Sequence, residues 1–487
     1  MDTFDYTLNS RDIFKAIIAS AKLWVIGGLV LIIAFGAGLP QIVKDPSTDS
    51  LIPPEQPSVV TRDQAEDLFG LRDPIVISVT TPEESGLFTP DALETLYLLH
   101  RQIEGLENVR ADRVQSIISE SRIYGDSDTL YIEPFLDAVP ESQSRADQIR
   151  DAVFDSPIVL GTLVSKDGSG ALIVAELIDQ SLAEETYLNA LEIAAAHQKD
   201  DIEIQVAGQG AVSGYLSGSI DRDSRKLPAI AITIIFAIIF LAFRNLKALV
   251  APLIVLAGTV AGAIGLMAWL GIPYFVITTA LPVVLVAIAV ADTVHILSGY
   301  FERLAARPNA NRSEIVVDVM SDLWRPLTLT TFTTMAGFIG IGLASSMPPI
   351  AYFGWFAAAG VFFAWVYSML VLPGILAWLK PAPSVMFKSG QTGIISTHLT
   401  SLARWAATHH FAALAMVLVI GATAAWSAAN VRVERSQIEN FQTDQPIRIA
   451  DETLNTVFAG TSYLDIVVTS DEVDGLLDAD RMTNVAS

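Results

Sequence analysis

The sequence predicts a polytopic α-helical membrane protein that carries a large water-soluble α+β domain. Three observations lead there. Hydrophobic residues make up 52% of the 487 residues and mean hydropathy is +0.46, yet the formal net charge is −23. One globular core cannot be both so apolar and so acidic, so the two properties belong to different segments. The apolar residues gather in about seven long runs with at most one charged residue each, near or above the ~20 residues that span a bilayer as a helix, and the acidic residues gather in the segment 44–226. There are no cysteines, which excludes a disulfide framework, thiolate chemistry and Cys-based metal sites. The acidic balance argues against nucleic acid as a partner, because phosphate binding needs clustered Lys and Arg.

Residues 1–22 form the N-terminal segment, in which Arg11, Lys15 and Lys22 precede the first run at 23–43. Its apolar core exceeds the 7–15 residues usual for a cleaved signal peptide, so it reads as a retained helix. Runs at 227–243, 248–270, 274–299, 327–345 and 350–379 supply the second to sixth helices within 227–379. A linker at 380–410 leads to the seventh at 411–430. Arg244 and Lys247, then Arg303, Arg307, Arg312 and Arg325, then Lys380, Lys388 and Arg404 occupy alternate loops. The intervening loops "GIPYF" (271–275) and "SMPP" (346–349) hold no Lys or Arg. Basic loops stay inside. They and the N-terminus are therefore expected on the cytoplasmic side of the inner (cytoplasmic) membrane, and 44–226 outside it.

Within 44–226 the apolar alternation predicts a strand at 73–81 and an amphipathic helix at 89–106, opened by "TPDAL". A second strand is expected over 109–119. Two apolar runs in 156–178 around Lys166-Asp167-Gly168 read as a hairpin, followed by a helix at 181–198 and a last strand at 202–212. The order βαββαβ is the split, ferredoxin-like motif, with 122–155 as an insertion. The stretch 301–324 reads as partly an amphipathic helix lying along the membrane surface.

The chain also repeats itself. The segment from Ile42, "IVKDPSTDSLIPPEQPSVVTRDQAEDLFGLRDPIVISVTTPEESGL", aligns without a gap on that from Val431, "VRVERSQIENFQTDQPIRIADETLNTVFAGTSYLDIVVTSDEVDGL". Gln56-Pro57 meets Gln445-Pro446, and Leu68-Phe69 meets Val457-Phe458. Each copy follows an apolar run. Residues 431–487 are thus expected to be the start of a second, incomplete extracytoplasmic domain, the rest being supplied by a missing second half or by another copy of the chain.

Two titratable groups lie at membrane depth. Asp292, about 16 residues or ~24 Å into the fourth helix, is followed three residues later by His295. A charged carboxylate is costly there, so such a residue marks either a hydrogen-bonded tie between helices or a proton-exchange site. His295 lies near the same face, where it either passes protons, since imidazole titrates near neutral pH, or bonds near the headgroups. The fifth helix opens "LTLTTFTTMAGF". Spacing puts Thr330, Thr333 and Thr334 on one side, where they could donate to Asp292; the default for a helical threonine is its own backbone. No second set of ligands accompanies Asp292 and His295, so no metal is expected. Pro282 within the fourth helix and Pro228 near the start of the second allow kinks.

One helix, a large βαββαβ domain, five more helices and the start of a second such unit resemble the RND superfamily of transporters, its predicted exporters near the MmpL, hopanoid-transporter and Patched-like branches. The motifs "GIPYFVITTALPVVLVAIAVADTVHILSGY" (271–300) and "RPLTLTTFTTMAGFIGIGLASSMPPIAYFGWFAAAG" (325–360) carry that resemblance. It implies export of lipids or other amphiphilic substrates in contact with membrane lipids. It also implies a relay through Asp292, driven by the proton gradient with no cofactor, and no enzymatic activity. A non-transporting membrane regulator or assembly factor on the same fold is the competing expectation. An intramembrane hydrolase would need a second acid at membrane depth, and no other run supplies one.

Overall fold

The computed structural model describes residues 10–47, 49–69, 73–82, 86–125, 129–379, 394–431 and 441–458, with 460 and 468. Its helices, in chain order, begin with α1 (Ser10–Ala19), α2 (Ala21–Gly36), α3 (Pro57–Phe69), α4 (Pro90–Glu104), α5 (Gln143–Phe154) and α6 (Ala183–His197). There follow α7 (Gln209–Phe243), α8 (Leu246–Trp269), α9 (Leu281–Ala306), α10 (Arg312–Ala344), α11 (Pro348–Val366) and α12 (Leu372–Leu379). The last are α13 (Ile394–Thr408), α14 (His410–Ala429) and α15 (Pro446–Val457). The strands are β1 (Lys44–Asp45), β2 (Pro74–Thr80), β3 (Ser121–Gly125), β4 (Leu130–Pro134), β5 (Gly170–Glu176), β6 (Glu203–Ala207) and β7 (Tyr274–Phe275). The chain divides into a helical unit, Met1–Pro53 with Ser217–Arg435, and a mixed unit, Pro54–Leu216 with Ser436–Ser487.

Seven described helices are long and apolar enough to cross a membrane, and the chain is a multi-pass membrane protein. Residues 44–53 and 217–226, expected in the soluble segment, belong to the helical unit. There β1 pairs in parallel with β7, and Lys44 Nζ meets Asp221 Oδ2 at 2.7 Å. The core of this unit is set by close contacts at small residues. The Tyr367 ring, 1% exposed, lies where a Cβ on Gly258 of α8 would stand 2.2 Å away. Its hydroxyl donates to the Gly28 carbonyl of α2 at 2.8 Å. Tyr367 opens a π-helical turn, Tyr367–Val371, between α11 and α12, so one side chain joins three spans.

Two expectations for the helices are corrected. Pro282 does lie in the fourth helix, α9, but in its first turn, where its missing N–H costs nothing and produces no kink. The stretch 301–324 does not form a separate surface helix: 301–306 ends α9, and 312–324 is continuous with the threonine segment in α10. Asn311 caps α10 by accepting from the Ser313 N–H at 3.1 Å. Ile315, Val316 and Met320 are buried in one cluster with Phe14 and Ile17 of α1. Asp318 receives Arg307 at 2.8 Å and Arg11 at 2.5 Å, and Arg303 pairs with Asp322.

In the mixed unit β2 is the central strand of the antiparallel order β5-β2-β6. Thr89 caps α4, accepting from the Ala92 N–H at 3.3 Å. Ile75, Ile77 and Val79 of β2 bury one sheet face with Leu93, Leu96 and Leu99 of α4 and Tyr187 and Ala190 of α6. The expected strand 109–119 is reduced to bridges Val109↔Leu177 and Gln115↔Val174 beside β5. A 3₁₀ turn at Ala111–Arg113 interrupts it, and the Asn108 amide binds the Asp179 backbone instead, through N–H donation and carbonyl acceptance at 2.9 Å each. The hairpin turn at Lys166-Asp167-Gly168 forms, with Asp167 accepting from Ser165 and Ser169 hydroxyls, but only its second arm is a strand, β5. The last strand stops at Ala207 because Gly208, at φ +91°, turns the chain into α7. A Cβ there would stand 2.6 Å from the Pro74 carbonyl oxygen. The presumed insertion holds the hairpin β3–β4 and α5.

Residues 380–393 of the expected linker, and most of 431–487, lie outside the described residues. The repeat still reaches into the structure. One displacement of 389 residues carries the end of α1 at Ala19 to the end of α13 at Thr408. It likewise carries the starts of α2 and α3, Ala21 and Pro57, to those of α14 and α15, His410 and Pro446.

Gly258→Leu should therefore abolish a monodisperse folded protein in detergent, read by size-exclusion chromatography. Tyr367→Phe, which removes one hydrogen bond worth about 1 kcal/mol, should lower only the melting temperature.

His100 gives a pH dependence. It is 3% exposed and shares a hydrogen bond with Ser116 Oγ at 2.9 Å through Nδ1. Burial pushes its pKa down, against the opposing charge of Glu104. The unfolded imidazole takes up a proton near ~6.5 while the folded one resists. Stability of the mixed unit is thus full above that value and falls as pH drops through it. Protease resistance of this unit in the intact protein should be lower at pH 5.5 than at 7.5, and His100→Gln should flatten that difference.

Candidate functional site

The site grows from the amphipathic division of α9. Leu285, Val286, Ala289, Thr293, Ile296 and Leu297 are buried, and the Thr293 hydroxyl donates back to the Ala289 carbonyl at 2.8 Å. The opposite face presents Ile288, Ala291, Asp292 and His295 to a cavity of about 390 Å³. Across it stand Leu323, Pro326, Leu327, Thr330, Thr331 and Thr334 of α10, with Val361 of α11. The span containing α9 runs Ile277–Ala306, and Asp292 lies near the middle of that helical stretch.

Asp292 is half-buried and His295 is exposed along the cavity wall. Among the described residues no hydrogen-bond donor reaches the Asp292 carboxyl. The threonines do not donate to it. Thr330 and Thr331 donate to the Leu327 carbonyl at 2.9 and 2.8 Å. Thr333 and Thr334 donate to the Thr330 carbonyl at 2.9 and 2.8 Å. Each hydroxyl binds its own helix, which satisfies the donor without leaving the backbone.

Of the five residues singled out in the sequence, Asp292, His295, Thr330 and Thr334 thus share one cavity, and Thr333 lies exposed outside its lining. Thr331 and Pro326 were missed. Pro326 has no N–H, so it withdraws the intrahelical donor for the Asp322 carbonyl beside the cavity. Helical spacing shows which threonines share a side, but the rotation of α10 comes from its neighbours. Trp365 fixes it by donating its indole N–H to Thr328 Oγ1 at 3.0 Å.

In the lining only Asp292 and His295 are ionisable, and no group of three His, Cys, Asp or Glu able to hold a metal occurs among the described residues. The MMPL family model matches residues 51–425. The chain belongs to the MMPL family. No curated protein matches the sequence. As an MMPL member it is an RND-superfamily transporter, not an enzyme.

The MMPL cavity makes a direct accessibility prediction, because the chain has no native cysteine. Thr334→Cys, on the cavity wall, should react with a small thiol reagent, whereas Thr293→Cys, at 0% exposure, should stay unlabelled. Equal labelling of both would show that α9 does not present this face.

Proposed function

We propose that this MMPL protein is a proton-driven exporter of lipids or other amphiphiles across the inner membrane, with Asp292 as its proton carrier. The observation that carries the proposal is the mid-span placement of Asp292 and His295 on one cavity wall. A carboxyl at that depth changes its interactions sharply when it gains or loses charge. On losing its proton, Asp292 would attract the hydroxyls of Thr330 and Thr334, which can rotate away from their helix carbonyls. That exchange would draw α9 and α10 together, and reprotonation would release them. His295, one turn along, would pass the proton toward the cytoplasm. Membrane lipids supply the surroundings and the amphiphilic substrate.

The mixed unit is proposed to be an extracytoplasmic porter domain of ferredoxin-like type. Its strand order β5-β2-β6, with the 109–115 bridges outside β5, supports that reading, and the basic loops support its sidedness. The second half, or another copy, would complete the transporter.

In proton-loaded vesicles, Asp292→Asn should insert and accumulate near normal levels yet lose gradient-dependent transport by at least about tenfold, the equivalent of ~1.4 kcal/mol. Undiminished coupled transport would rule out Asp292 as the carrier. A membrane-impermeant maleimide applied to intact cells should label Ser119→Cys, and Ala310→Cys only after permeabilisation. The reverse pattern would invert the proposed orientation.

A further inference from the structure

The cavity of Asp292 and His295 has a floor, built from residues that the proton relay leaves unused. One turn beyond His295, on the same face of α9, stands Gly299. A Cβ on it would lie 3.3 Å from Val319 Cγ1 and 3.6 Å from Leu323 Cδ1 of α10. The bare backbone lets the two helices come close at this level. Leu323 is also where the α10 side of the lining begins, and Val319, one turn before it, is 1% exposed. The cavity therefore ends where Leu323 meets Gly299.

Past that contact the same two helices are tied by charge. Arg303, one turn beyond Gly299, pairs with Asp322, the residue before Leu323. Arg307, a further turn on, pairs with Asp318 at 2.8 Å, and Asp318 also receives Arg11 of α1 at 2.5 Å. The Arg303–Asp322 pair does not exhaust its guanidinium: Nη1 of Arg303 is buried with no hydrogen-bond partner among the described residues. Pro326 lies inside α10, one turn from Asp322 on the cavity side. A proline within a helix is where it bends most readily, so α10 is weakest between the hydroxyls of the cavity and the aspartates of the seam.

We propose that Leu323 against Gly299 is the gate between the Asp292 cavity and the water on the side of the basic loops, and that the Arg303–Asp322 pair is its catch. The inference rests on Asp292 being the proton carrier. A carrier that works against a gradient must meet one side at a time, so its cavity needs a closure. With Leu323 on Gly299 the seam is aliphatic, and a proton on His295 has no hydrogen-bonded way on. Bending α10 at Pro326 lifts Leu323 from Gly299 and parts Arg303 from Asp322. Water can then reach His295 from that side. An ion pair whose Asp322 side chain is 67% exposed is weak, which suits a catch that has to release in every cycle.

The test uses the full chain in sealed vesicles with the basic loops outward, and Thr334→Cys on the cavity wall as reporter. A charged, impermeant maleimide added outside should label it slowly. Leu323→Ala, which leaves a gap at the contact, should raise the labelling rate about tenfold. Leu323→Val, a smaller excision, should raise it less and serves if the alanine variant does not fold, as judged by size-exclusion chromatography. Asp322→Asn or Arg303→Gln should raise it about threefold, as fits an exposed pair, and the reversed pair Arg303→Asp with Asp322→Arg should restore slow labelling. An unchanged rate in both Leu323 variants would overturn the gate. A reversed pair labelled as fast as the single variants would overturn the catch. Labelling does not involve the Asp292 carboxyl, so the two readings fail separately. Unchanged labelling with transport lost in Asp292→Asn removes the gate and keeps the carrier, and faster labelling with transport intact in Asp292→Asn does the reverse.

Discussion

Tyr367 is the contact on which the helical unit depends. Its ring needs the missing side chain of Gly258, and its hydroxyl needs the Gly28 carbonyl. Lipid tails are as apolar as leucine, so spans gain little from hydrophobicity when they meet, and close packing with a well-placed hydrogen bond must hold them. The π-helical turn that Tyr367 begins gives the ring the room to lie between α2 and α8. With those spans fixed, α9 is held along α8 and α11, and its polar face has only one direction left, toward α10.

That arrangement explains why a mid-span acid is tolerated. Asp292 does not enter the tightly packed side of α9, where Leu285, Ala289 and Leu297 are buried. It borders a cavity wide enough for several waters, whose far wall is a row of hydroxyls already satisfied by their own helix. The far wall can thus remain neutral toward a protonated acid and still offer donors to a charged one. α10 extends from the cavity to the ion pairs of Asp318 and Asp322, so a shift at one end is felt at the other, with Pro326 as the weak point between them.

The mixed unit is built on a different constraint. A three-stranded sheet covered on one face by α4 and α6 would leave Leu172, Val174 and Ala207 in water. The chain meets this with α15, drawn from more than 230 residues downstream of β6. Local sequence near β2, β5 and β6 carries no sign of that cover.

The sequence by itself determined the number and order of the spans, the placing of α4 and α6, the duplication, and Asp292 as an acid set within an apolar run. These follow from hydropathy, helical periodicity and the cost of charge in hydrocarbon, all of which act along the chain. Tertiary structure decided the rest. Helical spacing grouped Thr330, Thr333 and Thr334, but Trp365 on Thr328 turned α10 so that Thr331 faced the cavity and Thr333 did not. The 109–119 segment has the apolar residues of a strand, yet the 3₁₀ turn at Ala111–Arg113 leaves it only the bridges Val109↔Leu177 and Gln115↔Val174 beside β5. Pro282 looked like a kink because apolar composition runs on through β7 and the turn before α9, and composition does not record where a helix starts. The Trp365 indole lies 37 residues from Thr328, and periodicity does not report a contact made across such a separation.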